Sequence, residues 1–104
     1  MRLQPQQISQ LHSVIRTYFS SINYDLFLYG SRVDDTLKGG DIDLLIVTSI
    51  QGVTLFENKN LDLLVDIKKQ SAIGQRRVDL KATTFDQVST DPFLKAIAQT
   101  MVRI

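Results

Sequence analysis

The chain has 104 residues, of which 43% are hydrophobic and 22% are charged, and this balance is typical of one compact globular domain. Its formal net charge is +1 and it contains no cysteine, so we expect no stable binding of long nucleic acid and no disulfide or thiolate chemistry. The N-terminal segment lacks a signal-peptide core, and no apolar run approaches the roughly 20 residues of a membrane span. We therefore expect a single cytoplasmic domain over residues 1–104 that makes no membrane contact.

The first half of the chain predicts a helix followed by two strands. Between about residues 6 and 20, apolar residues recur at helical spacing. Residues 24–30, YDLFLYG, form a short apolar and aromatic run that predicts a buried strand. A polar stretch follows, and a short helix is expected to start at Ser31. The run DIDLLIVTS from Asp41 predicts a second strand that is covered on both faces and broken at Gly52.

The second half predicts a helix, a strand and a final helix. Leucine and valine spacing favours a helix over about residues 60–71, and RRVDLKAT favours a strand over about residues 76–83, with Gly74 before it. Asp91 and Pro92 form a typical cap and first turn of a helix. This helix is expected to reach the end of the chain and to use its apolar stripe for the core or, less favourably, for a partner. The stripe consists of Leu94, Ile97, Ala98, Met101 and Val102. Together these elements predict an α/β or α+β domain with a short mixed sheet flanked by helices.

Three aspartates are the candidate chemical centre. Asp41 and Asp43 are two residues apart on one predicted strand and therefore face the same way, about 7 Å apart. Asp79 lies within the next predicted strand, and all three would share one sheet edge if the two strands are neighbours. Two carboxylates about 4 Å apart repel by about 4 kcal/mol at an effective dielectric of 20, and a divalent cation would relieve this repulsion. The pattern thus predicts magnesium ligands, with room for two ions.

Gly30, Ser31 and Arg32 are the candidate nucleotide-binding residues. A glycine at a strand end lets the backbone approach a phosphate closely. A helix that begins after Ser31 would direct free N–H groups at that phosphate, and the hydroxyl adds a donor. Arg32 is a weaker candidate, because a surface arginine is more often simply solvated. His12 is expected to be a surface or packing residue.

These motifs carry a resemblance. Gly30-Ser31 within LYGSR, then the nine residues 32–40, then Asp41-Ile42-Asp43 at the start of DIDLLI, resemble the G-S-x(9)-D-x-D signature of the DNA polymerase beta-like nucleotidyltransferase superfamily. RRVDL resembles the strand that carries the third acid of that superfamily. The small size makes the chain look like the minimal nucleotidyltransferases of bacteria and archaea. One departure is Gly40, where many members have a serine.

The resemblance implies a polymerase beta-like fold and a set of roles. Gly30 and Ser31 would contact phosphate, while Asp41, Asp43 and Asp79 would bind Mg²⁺, with Asp79 also a candidate general base. The implied reaction is transfer of AMP from ATP to a hydroxyl. Minimal members are often paired with a helical HEPN-domain toxin, whose tyrosine they adenylylate as antitoxins, so the resemblance implies a HEPN-domain partner.

Two other functions stay open at the level of sequence. The chain could be an antitoxin that neutralises its partner by contact alone and keeps a relic nucleotide site. It could also modify a small molecule such as an aminoglycoside, although its size leaves little room for an acceptor domain. Self-association is a further expectation for a small domain with apolar helix faces.

Overall fold

The computed structural model describes residues 3–30, 42–73 and 77–104. Ser31, Arg32 and Asp41 lie outside these residues, as do Gly74 and the short helix expected to start at Ser31. Their predicted roles are therefore not addressed by the fold.

The described residues form helices and strands in the chain order α1 (Pro5–Tyr18), β1 (Tyr24–Tyr29), β2 (Ile42–Thr48), α2 (Ile50–Lys68), β3 (Val78–Thr84), α3 (Phe85–Thr90), α4 (Pro92–Ala98) and β4 (Val102–Arg103). The strands form a mixed four-stranded sheet with strand order β3-β2-β1-β4, and helices flank it. β1 runs antiparallel to both β2 and β4, whereas β2 and β3 are parallel. This arrangement confirms the predicted α+β class with a short mixed sheet.

Helices cover both faces of the sheet, and each face has its own apolar cluster. β2 is buried along almost its whole length, as its continuous apolar run predicts. Its even-numbered apolar residues join the larger cluster, with α1 and α2, whereas Leu45 and Val47 join a smaller cluster under α4. The odd-numbered face therefore carries both the smaller cluster and the side chain of Asp43.

α2 differs in its bounds from the helix predicted over residues 60–71, since it runs from Ile50 to Lys68. It begins at Ile50, because the Ser49 side chain caps it by accepting a hydrogen bond from the Gly52 N–H at 3.2 Å. Gly52 therefore lies inside the first turn instead of ending β2 as a loop residue. The leucine and valine spacing correctly indicates a helix, but Leu61 and Val65 are exposed, while the helix buries Leu63 and Ile67.

The C-terminal region departs from the single long helix that was predicted. The Asp91 cap and Pro92 are confirmed as the start of a helix, but α4 ends at Ala98. Val102 then pairs with β1, because an edge of that strand is open and can supply backbone hydrogen bonds. The six-residue α3 before Asp91 was not predicted. Among the described helices, none has both the length and the apolar character needed to cross a bilayer.

Candidate active site

A row of polar residues crosses three strands at the same level. Tyr29 of β1 is opposite Asp43 of β2, and Asp43 is opposite Asp79 of β3. Neighbouring strands are about 4.8 Å apart, and directly opposed side chains point to the same face. This row, which we call the acidic row, consists of Tyr29, Asp43 and Asp79. It presents two carboxylates and a phenol side by side, on the same face of the sheet as α4.

Gly30 holds the end of β1 close against this row. Its φ is +76°, in the left-handed region that glycine adopts without steric cost. A Cβ at this position would lie 2.4 Å from Oδ2 of Asp43. The absence of a side chain therefore lets the Asp43 carboxylate sit directly against the backbone, where a bulkier residue would displace it.

A lysine partly neutralises the acidic row. The Nζ of Lys81 lies 3.4 Å from Oδ2 of Asp79, and both side chains are about half exposed, at 40% and 48%. Lys81 is two residues from Asp79 on β3 and thus shares its face. An ion pair this exposed contributes about 0–1 kcal/mol. A divalent cation is therefore not the sole positive charge that can offset the carboxylates, because Lys81 already lies beside Asp79.

Tyr29 is the buried member of the row. Its side chain is 9% exposed and packs in the smaller apolar cluster. Burial raises its pKa to about 12, and the charges of Asp79 and Asp43 add to the effect. Like an ordinary tyrosine, it is neutral at physiological pH, and its hydroxyl can donate a hydrogen bond.

An open cavity of about 300 Å³ adjoins this end of β1. Its wall includes Tyr29 and Gly30 together with α4 residues, of which Phe93 is exposed by 56%. A larger cavity of about 440 Å³ is lined by His12 and Tyr24, at the opposite end of β1. Five residues of strand separate the two ends by about 16 Å, so the larger cavity is remote from the carboxylates and is not the candidate centre.

A family model described as a nucleotidyltransferase domain matches residues 8–103 of this chain. The chain belongs to the nucleotidyltransferase domain family. A search of curated proteins returned no match. The family match extends from α1 into β4, so it covers every described strand and the whole acidic row.

The donor set of this nucleotidyltransferase domain fits a hard divalent cation. Asp43 and Asp79 offer carboxylate oxygens from opposed positions, and Mg²⁺ prefers such ligands, often only one or two of them together with substrate phosphates. Within the described ranges, no group of three metal-ligating side chains comes together. Asp41, the third predicted ligand, lies outside those ranges.

Sequence reasoning found part of this site. The structure brings together Gly30, Asp43 and Asp79, whose functional roles stay predictions. It also adds two residues that the sequence argument missed, Tyr29 and Lys81. Lys81 could have been found from the alternation of strand residues, since it is two residues from Asp79, whereas Tyr29 is placed opposite Asp43 only by the pairing of β1 with β2.

His12, predicted to be a surface or packing residue, has a structural role in the described fold. Its Nδ1 lies 2.7 Å from the Tyr24 hydroxyl, and its Nε2 lies 3.1 Å from the backbone oxygen of Ile104. These contacts tie α1 to β1 and to the segment after β4. They lie at the end of the sheet that is remote from the acids.

Proposed function

We propose that this nucleotidyltransferase domain transfers AMP from ATP to a hydroxyl acceptor with the help of Mg²⁺. The observation that carries the proposal is the direct opposition of Asp43 and Asp79 on parallel strands, with Gly30 against the Asp43 carboxylate. Family membership supports nucleotidyl transfer in general. The choice of ATP, of magnesium and of the acceptor rests on the resemblance and on the chemistry of the donor set.

The proposed reaction is an in-line displacement at the α-phosphorus. A bond forms from the acceptor oxygen to that phosphorus as the bond to the bridging oxygen of the β-phosphate breaks, and pyrophosphate leaves. The acceptor proton passes to a carboxylate, and we assign this role to Asp79, which is about half exposed and so can be reached by a macromolecular acceptor. Magnesium, held by Asp41, Asp43 and Asp79, would supply positive charge to the phosphate oxygens.

We further propose that the acceptor is a tyrosine of a HEPN-domain toxin and that the chain acts as its antitoxin. The support is the resemblance to minimal nucleotidyltransferases. The half-exposed side chain of Asp79 also suits a protein acceptor, since a tyrosine on another surface must approach the α-phosphorus without entering a deep pocket.

Labelled ATP provides the test. The protein is incubated with α-³²P-ATP, Mg²⁺ and the product of a neighbouring HEPN-type gene, and label on the partner is measured. Asp43→Asn and Asp79→Asn are compared with Asp25→Asn, a matched control in the same sheet whose carboxylate pairs with Arg103 at 2.9 Å. We expect wild type and the control to transfer label, and the two site variants to lose at least about 100-fold, comparable to removing a general base.

Absence of transfer by the wild type, or equal transfer by the site variants, would contradict the enzymatic proposal. Toxin neutralisation is measured with the same variants. If Asp43→Asn and Asp79→Asn neutralise as well as wild type, the chain acts by complex formation alone. Transfer to an aminoglycoside in place of the partner would identify a small-molecule enzyme.

A further inference from the structure

The Tyr29 hydroxyl is the buried side-chain polar atom that has no hydrogen-bond partner among the described residues. A buried donor without a partner is normally costly, so folded proteins rarely retain one without a compensating role. The Tyr24 hydroxyl on the same strand shows the usual situation, since it is within 2.7 Å of His12.

Packing does not account for the hydroxyl. The ring of Tyr29 belongs to the smaller apolar cluster, together with residues such as Leu45, Leu94 and Ile97. A phenylalanine ring would make the same apolar contacts, because it has the same shape apart from one oxygen. The oxygen is therefore a candidate for contact with a group that the described residues do not provide.

The surroundings of Tyr29 point to the nature of that ligand. It precedes Gly30, is directly opposite Asp43, and lines the 300 Å³ cavity that continues under α4. A phenol is protonated at physiological pH and offers a neutral hydrogen-bond donor, which suits a phosphate oxygen placed beside the same carboxylates.

We propose that the Tyr29 hydroxyl donates a hydrogen bond to a phosphate oxygen of the bound nucleoside triphosphate. The inference rests on the proposed function, because it requires the triphosphate to lie at the Gly30 end of β1. It adds to that function a ligand-contacting residue that is buried and uncharged, next to the backbone at Gly30.

Two phenylalanine substitutions on one strand test the proposal. Tyr29→Phe removes the unpartnered hydroxyl, and Tyr24→Phe removes the hydroxyl that contacts His12. Melting temperature is measured without ligand, and Kd is measured by calorimetry with Mg²⁺ and either a non-hydrolysable ATP analogue or inorganic tripolyphosphate. For Tyr29→Phe we expect a melting temperature equal to or above that of wild type and a Kd about tenfold weaker for both ligands.

Tyr24→Phe should show the opposite pattern, with a lowered melting temperature and an unchanged Kd. Wild-type Kd values for Tyr29→Phe would overturn the inference while leaving the proposed function intact. A weaker Kd accompanied by a lowered melting temperature would also overturn it, since the hydroxyl would then be structural. A loss with the ATP analogue but not with tripolyphosphate would place the contact away from the phosphates, and a wild type that binds neither ligand would overturn the proposed function as well.

Discussion

Gly30→Ala should damage both the stability of the domain and its nucleotide site. At a φ of +76°, a non-glycine residue costs about 1–2 kcal/mol. The added Cβ would also stand 2.4 Å from Oδ2 of Asp43 and 3.3 Å from its Cγ, so the carboxylate must move. We expect the free energy of unfolding to fall by about 1–2 kcal/mol, which corresponds to roughly 5–10 °C in melting temperature for a domain of this size.

Gly52→Ala is the matched control, because it also introduces a clash but does so away from the acids. Its Cβ would lie 2.2 Å from Oγ1 of the buried Thr48. Overpacking of this kind costs about 1–3 kcal/mol, partly offset by about 1 kcal/mol from the higher helix propensity of alanine. Urea denaturation and calorimetric binding of Mg²⁺ with a non-hydrolysable ATP analogue are measured for both variants.

Both variants should be destabilised, but only Gly30→Ala should weaken nucleotide binding, by at least about tenfold, which corresponds to 1.4 kcal/mol. Nucleotide affinity retained in Gly30→Ala would refute the argument that this glycine positions the Asp43 carboxylate. Equal losses of nucleotide affinity in Gly30→Ala and Gly52→Ala would show that lowered stability alone weakens binding.

Three further predictions concern alkaline pH, the lysine of the acidic row and the cap of α4. Folding raises the pKa values of Tyr18 and Tyr29 from 10.0 to about 12. The stability that these two protonated hydroxyls contribute is therefore complete below pH 10 and is lost as pH rises to 12. The urea midpoint should fall over this range, and it should fall less steeply in Tyr18→Phe or Tyr29→Phe. Lys81→Met removes the cation 3.4 Å from Asp79. In the absence of nucleotide, this variant should bind Mn²⁺ up to about fivefold more tightly than the wild type. An unchanged Mn²⁺ affinity would show that the lysine does not compete with a metal. Asp91→Ala removes the acceptor of the Phe93 and Leu94 N–H groups and should lower the free energy of unfolding by about 1 kcal/mol, as measured in urea; an unchanged midpoint would mean that the cap adds no stability.

The strands of the site were predictable because their burial leaves a strong sequence pattern. β2 is apolar at nearly every position, and β1 is apolar and aromatic up to Gly30, so both were located within a residue or two. The sequence predicts that Asp43 and Asp79 lie close together only if their two strands are neighbours in the sheet. Strand order depends on tertiary packing, which no local sequence pattern encodes. The parallel pairing of β2 and β3 supplies that missing condition.

The errors came from segments where tertiary contacts override local preference. Gly52 indicates a loop in the sequence, yet it lies in the first turn of α2, which the Ser49 side chain caps, and its lack of a side chain permits close packing on Thr48. Val102 continues a helical stripe in the sequence, but strand pairing with Leu28 gives its backbone hydrogen-bond partners. Lys81 carries no local motif, and its relation to the site follows only from its place two residues after Asp79 on the same strand face.

Manganese titration followed by electron paramagnetic resonance, with a non-hydrolysable ATP analogue present, tests most directly whether Asp43 and Asp79 share a divalent cation with a nucleotide. We expect saturable Mn²⁺ binding by the wild type and by Asp25→Asn, with affinity reduced at least about tenfold in both Asp43→Asn and Asp79→Asn. Undiminished Mn²⁺ binding by those two variants, or no binding by the wild type, would contradict a shared cation site.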